Sequence, residues 1–574
     1  MISLMIDNQN VSVPDGSSIL QAAEKIGVKI PTLCYLKDIN VIGSCRICMV
    51  HVQGARTLMA ACVTPVTEGM VVLTHTPEVI AARRMVLELI LSDHPMECLT
   101  CVRNQNCELQ KLAEEFNIKQ VRFEGAKTEY AIDDSSPGIR RDPRKCILCR
   151  RCISVCSNIQ GVKALTPENR GFNTLIAPAF NDRLADMECV QCGQCALVCP
   201  TGAIYEVDDT DKVWAALADP KKHVVVQTAP ATRVQVGETM GAEPGSIVTG
   251  QMVAGLRRLG FDKVFDTDFT ADLTILEEGN ELLHRVQNGG VLPMITSCSP
   301  GWIKFAEHFY PDLLPHLSTC KSPQQMFGAL AKTYYAQKEG IDPEDVFVVS
   351  IMPCTAKKYE CQRPEMKSSG YQDVDVVLTS RELGRMFKQA GLCMQNLPIE
   401  EYDPPLGIST GAGEIFGASG GVMEAALRTV YEVVTGQTLE SIDFTDCRGL
   451  TGVKEATVQV GDLAVKIAIT NGLGNARKVL DKIREGTADY HFIEIMACPG
   501  GCIGGGGSPI PTNTEVRLKR IDAVYREDER MAIRKSHENP AVAELYAEFL
   551  EKPLGHKSHE LLHTHYTARG LNKA

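Results

Sequence analysis

Two runs of cysteine set the terms for this chain. Cys146, Cys149, Cys152 and Cys156 repeat the intervals of Cys189, Cys192, Cys195 and Cys199. Pro200 closes the second run, and Ser157 stands at the equivalent place in the first. That spacing is the signature of paired 4Fe–4S clusters, in which the last cysteine of each run ligates the other cluster. The expectation is one cluster on Cys146, Cys149, Cys152 and Cys199, and a second on Cys189, Cys192, Cys195 and Cys156.

The other cysteines follow the same lead. Of 23 in the chain, 15 precede residue 200 in short-spaced groups and 8 are scattered beyond it. A disulfide framework is disfavoured, because the sequence has no basic-then-apolar leader and no bilayer-length apolar span, which reads as cytoplasmic, and the cytosol keeps thiols reduced. A net charge of −12 argues against nucleic acid or an anionic membrane as partner. At 574 residues several domains are expected.

Ahead of the paired runs, "MISLMIDNQNVSV" reads as a strand pair and "SSILQAAEKIGV" as a helix capped by Ser17 or Ser18. Cys34, Cys45, Cys48 and Cys62 follow, a set that suits a 2Fe–2S cluster. A helix from Thr76 and Pro77 leads into His94, Cys98, Cys101 and Cys107. One histidine and three thiolates also suit zinc, and spacing alone does not separate the two metals. Four such sites in a row make a wire for single electrons, and a wire needs a terminus.

From about Lys221 apolar strands alternate with amphipathic helices, the pattern of an α/β domain with a mostly parallel sheet. "HVVVQT", "KVFDTD", "VLPMIT", "DVFVVSIM", "DVDVVLT" and "HFIEIM" read as strands. "GQMVAGLRRLG", "ADLTILEEGNELLHRVQNG" and "SRELGRMFKQAG" read as helices. Cys298, Cys354 and Cys498 each follow a strand, where ligands gather in open parallel sheets, and Cys502 lies in the glycine-rich "CPGGCIGGGGSP". Cys320, Cys361, Cys393 and Cys447 share none of this context and read as small buried residues.

"TSCSPGW", "MPCTAKKYE" and "EIMACPGGCIGGGGSP" resemble the three signature motifs of the FeFe (iron-only) hydrogenases, and the resemblance extends over nearly the whole chain. The N-terminal part is also similar to the large electron-transfer subunit of respiratory NADH dehydrogenases. The resemblance implies reversible formation of dihydrogen from protons and electrons at an H-cluster, a 4Fe–4S cube joined to a diiron unit with CO, cyanide and a bridging dithiolate. It implies three accessory 4Fe–4S clusters and one 2Fe–2S cluster. By motif, Cys354, Cys498 and Cys502 bind the cube, Cys502 bridges to the diiron unit, and Lys357 hydrogen-bonds a cyanide. Met352, Met496, Pro230 and Gln324 line the cofactor.

On the helix with "LEEGNELLHR", Glu278, Glu281 and Arg285 share one face, which by spacing alone reads as a solvated surface. The resemblance instead implies a proton relay of Cys298, Glu278, Ser318, Glu281 and Arg285. The commonest family motif has two adjacent cysteines where this chain has Cys298 and Ser299. Cys298 then matches the proton carrier, and Ser299 falls at a metal-ligand position where a hydroxyl is a poorer donor than a thiolate. Either Ser299 ligates through oxygen, or Cys298 takes the corner, or that iron has another ligand.

The expected class is α+β and multidomain. A β-grasp 2Fe–2S domain (1–78) precedes a 4Fe–4S domain with one histidine and three cysteines (79–136). A two-cluster ferredoxin domain (137–210), an α/β catalytic domain (211–520) and a small-subunit-like C-terminal segment (521–574) follow. Expected partners are dihydrogen and protons, ferredoxin or a flavin-containing NAD(P)H-oxidising subunit, and maturation proteins for the diiron unit. No flavin or nicotinamide fingerprint is present. The competing reading is an electron-transfer subunit, or a hydrogenase-like sensor or iron–sulfur assembly protein without turnover.

Overall fold

The computed structural model describes residues 1–461 and 463–571. The N-terminal strands Ile2–Ile6 and Gln9–Val13 form an antiparallel hairpin, joined by Val71–Leu73, Met49–Val52 and Met59–Ala60 in a five-stranded sheet. Helix Ile19–Lys25 starts at Ser18, not Ser17, through a reciprocal cap with Gln21. The Gln21 N–H donates to Ser18 Oγ at 3.3 Å and the Ser18 N–H donates to Gln21 Oε1 at 2.8 Å. Helix Pro77–Asp93 begins at Thr76, whose hydroxyl accepts from the Val79 N–H.

Little regular structure supports the paired cysteine runs. Strands Ile139–Arg141 and Ile204–Glu206 pair antiparallel across the base of that region, and short helices carry the cysteines.

The chain from about residue 221 holds two four-stranded sheets rather than one. The first, in the order Lys263–Asp266, His223–Thr228, Val346–Met352 and Val376–Thr379, is wholly parallel. Its two faces feed separate cores. Val225 and Val348 pack with Val542, Leu545 and Leu562 of the C-terminal segment, whereas Val224, Val226 and Val349 pack with Met252, Leu256 and Phe387. The second sheet runs Met294–Ile295, Phe492–Met496, Leu463–Asn471 and Val453–Val460, with an antiparallel outer pair. "VLPMIT" therefore contributes only two residues of strand. The outer hairpin escapes the sequence reading because "VKEATVQV" is polar and half-exposed at a sheet edge.

Helix Thr267–Asn288 crosses the domain, capped by Asp266 at one end and stopped by Gly289, whose φ of 70° suits a residue without Cβ. The solvated-face reading of this helix fails. Glu277, Glu278 and Glu281 are all buried. Spacing identifies which residues share a face, but the cover comes from residues 317–320 and the distant C-terminal segment. Cys393 is also misread, being exposed, while Cys320, Cys361 and Cys447 are buried. Among the described residues no helix is long and apolar enough to cross a membrane.

Candidate functional site

The accessory cysteines gather at four places. In the N-terminal domain Cys34, Cys48 and Cys62 are buried, the Cys48 and Cys62 sulfurs lie 3.3 Å apart, and the Cys34 N–H donates to Cys45 Sγ. His94, Cys98, Cys101 and Cys107 line one cavity together with Lys145 and Gly202. His94 Nδ1 is buried with no hydrogen-bond partner, and burial pushes the imidazole down to about 4, so a neutral ring able to ligate lies beside three thiols. Cys146, Cys149, Cys152 and Cys199 line a third cavity. Cys156, Cys189, Cys192 and Cys195 line a fourth. Burial pushes the Cys146 and Cys149 thiols up to about 12 and Cys156 to about 11. Buried thiol sets of this kind gain their ligand form only by giving protons up to a metal, so the donor chemistry fits clusters.

These sites do not form a single file. Asn40, 1% exposed, donates from one amide nitrogen to the Cys34 carbonyl at 2.7 Å and to the Cys149 carbonyl at 3.0 Å. The Glu108 N–H, one residue past Cys107, donates to the Pro200 carbonyl, and a Cβ on Gly202 would lie 2.8 Å from Cys101 Sγ. The Cys34 loop and the Cys101–Cys107 loop thus both meet the loops around the Cys146 set.

The Cys189 set in turn touches the catalytic portion. Thr355, beside Cys354, donates from its hydroxyl to the Gln191 carbonyl at 2.6 Å, and Gln194 donates to the Gly504 carbonyl at 2.8 Å. A Cβ on Gly506 would sit 2.3 Å from the Cys192 carbonyl oxygen, so the two backbones touch.

There the carboxyl ends of both sheets converge. Cys354 follows Val346–Met352, Cys498 follows Phe492–Met496, and Cys502 opens the turn Cys502–Gly504. Burial raises the Cys498 thiol first, and the charges of Cys354 and Cys502 raise it further. Lys357 donates to the Cys298 carbonyl at 3.1 Å and to Glu360 at 2.8 Å, and Glu360 also accepts from Ser322 and Gln324. Gln324 Oε1 is buried with no partner. Met352 and Met496 are each 3% exposed, and Pro230 begins a buried turn whose Thr232 hydroxyl donates to the Ile351 carbonyl.

Ser299 and Cys298 face different neighbours. The Ser299 hydroxyl accepts from the Ala497 N–H at 3.3 Å, beside Cys498. Burial pushes the Cys298 thiol well up, and Glu278 is the largest charge acting on it. Glu278 is itself pushed up to about 8 by burial, offset in part by the Ser318 hydroxyl, and its Oε1 has no partner. Ser318 donates to Glu281 at 3.0 Å, and Arg285 donates to Glu281 at 2.5 Å and to the Leu317 carbonyl at 2.8 Å. Ser318, Glu281 and Arg285 are thus hydrogen-bonded in succession, and the buried Glu278 acts by charge on Cys298.

Residues 222–506 match the family described as iron only hydrogenase large subunit, C-terminal domain, and 514–569 match iron hydrogenase small subunit. Residues 1–77 match a 2Fe-2S iron-sulfur cluster binding domain, 83–122 an NADH-ubiquinone oxidoreductase-G iron-sulfur binding region, and 145–203 a 4Fe-4S dicluster domain. The NADP-reducing hydrogenase subunit HndD of Solidesulfovibrio fructosivorans is 53% identical over 581 residues, covering 99% of each chain. The chain belongs to the iron-only (FeFe) hydrogenase family. Iron hydrogenase 1 of Clostridium pasteurianum is 40% identical, over 99% of this chain and 100% of that protein. The solved FeFe-hydrogenase HydA1 of Chlamydomonas reinhardtii superposes with a TM-score of 0.58 at 46% identity, covering 64% of this chain and all of that one.

Several residues at this hydrogenase-family site carry no sequence signal of their own. Gln235 donates to the Cys502 and Ile503 carbonyls at 3.4 and 3.1 Å, and Arg520 donates to the Ile503 carbonyl at 2.8 Å. Arg517 lies against the Gly500–Gly504 turn, and its charge acts on Cys498. Gln235 lies 267 residues from Cys502, whereas Arg517 and Arg520 fold back onto the motif from the next helix, Thr514–Arg530.

Proposed function

We propose that the protein catalyses the reversible combination of two protons and two electrons to dihydrogen. The observation that carries this is the meeting of three cysteines, from two sheets, with a buried acid–hydroxyl–acid file on one side and a four-site thiol array on the other. Neither an electron carrier alone nor an assembly protein needs that file.

In this reading Cys354, Cys498 and Cys502 would hold the cube of an H-cluster, with Cys502 also serving as its link to the diiron unit. When bound, the H-cluster supplies the redox chemistry that joins protons and electrons. Lys357, fixed by Glu360, presents its ammonium beside the Cys298 backbone, where a cyanide would need a donor. Gln324, Pro230, Met352 and Met496 are buried beside these cysteines and would keep water from the H-cluster, which strengthens polar contacts there. The Ala497 contact supports Ser299, not Cys298, as the residue facing the cube. Cys298 is then free to carry protons, passed from Arg285 and Glu281 through Ser318 and Glu278.

For electrons, we infer a 2Fe–2S cluster on Cys34, Cys45, Cys48 and Cys62, and a 4Fe–4S cluster on His94, Cys98, Cys101 and Cys107. Two further 4Fe–4S clusters take the crossed cysteine sets. The contacts through Asn40 and Pro200 support two inputs that join at the Cys146 set, then pass through the Cys189 set to Thr355 and Cys354. The NADP-reducing relative supports a flavin-containing NAD(P)H-linked subunit as electron partner, with ferredoxin as the second donor class. We infer a cytoplasmic setting from the many free cysteines.

The test is Cys502→Ala in protein matured with its diiron unit. Hydrogen evolution should vanish together with the CO and cyanide infrared bands, while the magnetic signals of the accessory clusters persist. Retained turnover would overturn the assignment.

A further inference from the structure

Helix Thr267–Asn288 carries one more buried carboxylate than the proposed relay uses. Glu277 is fully buried and faces the C-terminal segment rather than Ser318. Its Oε1 accepts from the Tyr546 hydroxyl at 2.5 Å and from the Ser558 hydroxyl. Its Oε2 accepts from the Leu554 N–H at 2.9 Å and lies 3.2 Å from His563 Nε2. Burial alone would raise this carboxyl, but the bonds from His563, Ser558 and Tyr546 outweigh it and hold the group below its ordinary range.

An ionised carboxylate only accepts hydrogen bonds, so His563 Nε2 must carry a proton. The other ring nitrogen, Nδ1, lies 2.8 Å from the Thr319 hydroxyl. Thr319 Oγ1 is also 3.2 Å from Glu281 Oε2, and the Thr319 N–H donates to the same oxygen at 3.0 Å. The hydroxyl has one proton and two acceptors that compete for it. With His563 neutral, Nδ1 accepts the hydrogen bond of the Thr319 hydroxyl and Glu281 loses a donor. With His563 charged, Nδ1–H donates to Thr319, and the hydroxyl proton turns to Glu281.

The groups facing His563 are Glu277 and Tyr546, Glu281 through Thr319, Cys320, and the exposed His559 stacked on it at 4.8 Å. Glu281, Cys320 and His563 are close enough to share a cation. Arg285 already places a permanent positive charge 2.5 Å from Glu281, which argues against a metal there.

We propose that His563, fixed by Glu277, is a positioning residue of the proton relay: the proton it holds sets how many hydrogen bonds Glu281 receives, and so how readily Glu281 exchanges its own. This rests on the relay reading given above, and it assigns the C-terminal segment a part in catalysis beyond packing.

The experiment measures the pH–rate profile of hydrogen evolution by the matured holoenzyme. CO and cyanide infrared bands serve as the check on assembly. His563→Gln keeps a donor for Glu277 and an acceptor for Thr319 but takes up no proton. It should remove one ionisation from the pH–rate profile and lower turnover about tenfold, the scale of one hydrogen bond to a charged group. Thr319→Val should give the same profile, Thr319→Ser should restore the native one, and combining His563→Gln with Thr319→Val should add nothing. A native-shaped profile in His563→Gln, whatever its rate, overturns the proposal. If His563→Gln loses the infrared bands, Thr319→Val, which leaves Glu277 and His563 in contact, decides by the same criterion. Glu281→Gln separates the two levels: normal turnover there sinks the relay and this proposal together. An inactive Glu281→Gln beside a native profile in His563→Gln sinks this proposal alone.

Discussion

The accessory region and the catalytic portion both concentrate thiols, yet they do so by opposite means. In the accessory region each set comes largely from one loop, and the helices and strands around it are short. In the catalytic portion Cys354, Cys498 and Cys502 arrive on the ends of two separate sheets, and almost every polar contact around them comes from elsewhere in the chain. A site of the first kind depends on its own loop. A site of the second kind depends on the whole domain, and residues that touch no cysteine can still govern it.

Three substitutions test that contrast. The largest effect is expected for Glu278→Gln, which keeps the shape of a fully buried side chain and removes its proton. Turnover should fall by about 10²–10⁴, the usual contribution of a positioned acid–base group, while the accessory clusters keep their magnetic signals. The same change has a second signature. Glu278 is raised to about 8 from an ordinary value of 4.5, so the native state holds a proton that the unfolded chain releases in that interval. Its contribution to stability is full below the unfolded value and is lost as pH rises through about 8. Thermal melts of Glu278→Gln should show a flatter decline between those limits. Unchanged turnover would mean that this carboxyl is no relay, and an unchanged slope that it is no raised buried acid.

Next comes the seam between the regions. In Gly506→Ala the new methyl would meet the Cys192 carbonyl oxygen at 2.3 Å and Gly193 Cα at 2.6 Å, both backbone atoms that cannot swing aside. Overpacking of this kind costs about 1–3 kcal/mol. Electrons should still reduce the accessory clusters, but hydrogen evolution driven through them should drop several-fold. Full coupling in this variant would show that the backbone contact is incidental to electron delivery.

The smallest effect on turnover is expected for Asn40→Ala, which leaves the Cys34 and Cys149 carbonyls without their shared donor. Each buried group left unpaired costs about 1–3 kcal/mol, so the N-terminal domain should loosen before the catalytic portion does. Hydrogen exchange resolved along the chain would detect it. Uniform loosening of both regions would erase the contrast drawn above.

How much of this was legible in the sequence follows the same division. Cysteine spacing is a local property, and the cysteines of each accessory run could be grouped without a fold. The strands before Cys354 and Cys498 were legible because buried parallel strands are short, continuous apolar runs. The edge hairpin Val453–Asn471 was not, since half-exposed strands alternate with charge. Nor was the pairing of His563 with Glu277, 286 residues apart, or of Asn40 with Cys149, 109 apart. No periodicity links such pairs. The acids of helix Thr267–Asn288 looked like a wet surface for that reason: what buries them lies elsewhere in the chain.

The placement of Tyr566 has a consequence for how the protein is made. Its hydroxyl donates to the Ser318 carbonyl at 2.7 Å, while His563 closes on Thr319 from the same side. Both residues leave the ribosome after every cysteine in the chain, by a few seconds at ordinary rates of synthesis. A nascent chain therefore has all its thiols before the wall beside its acid file exists. On the relay reading, synthesis completes the thiols of this chain first and the cover over its acid file last.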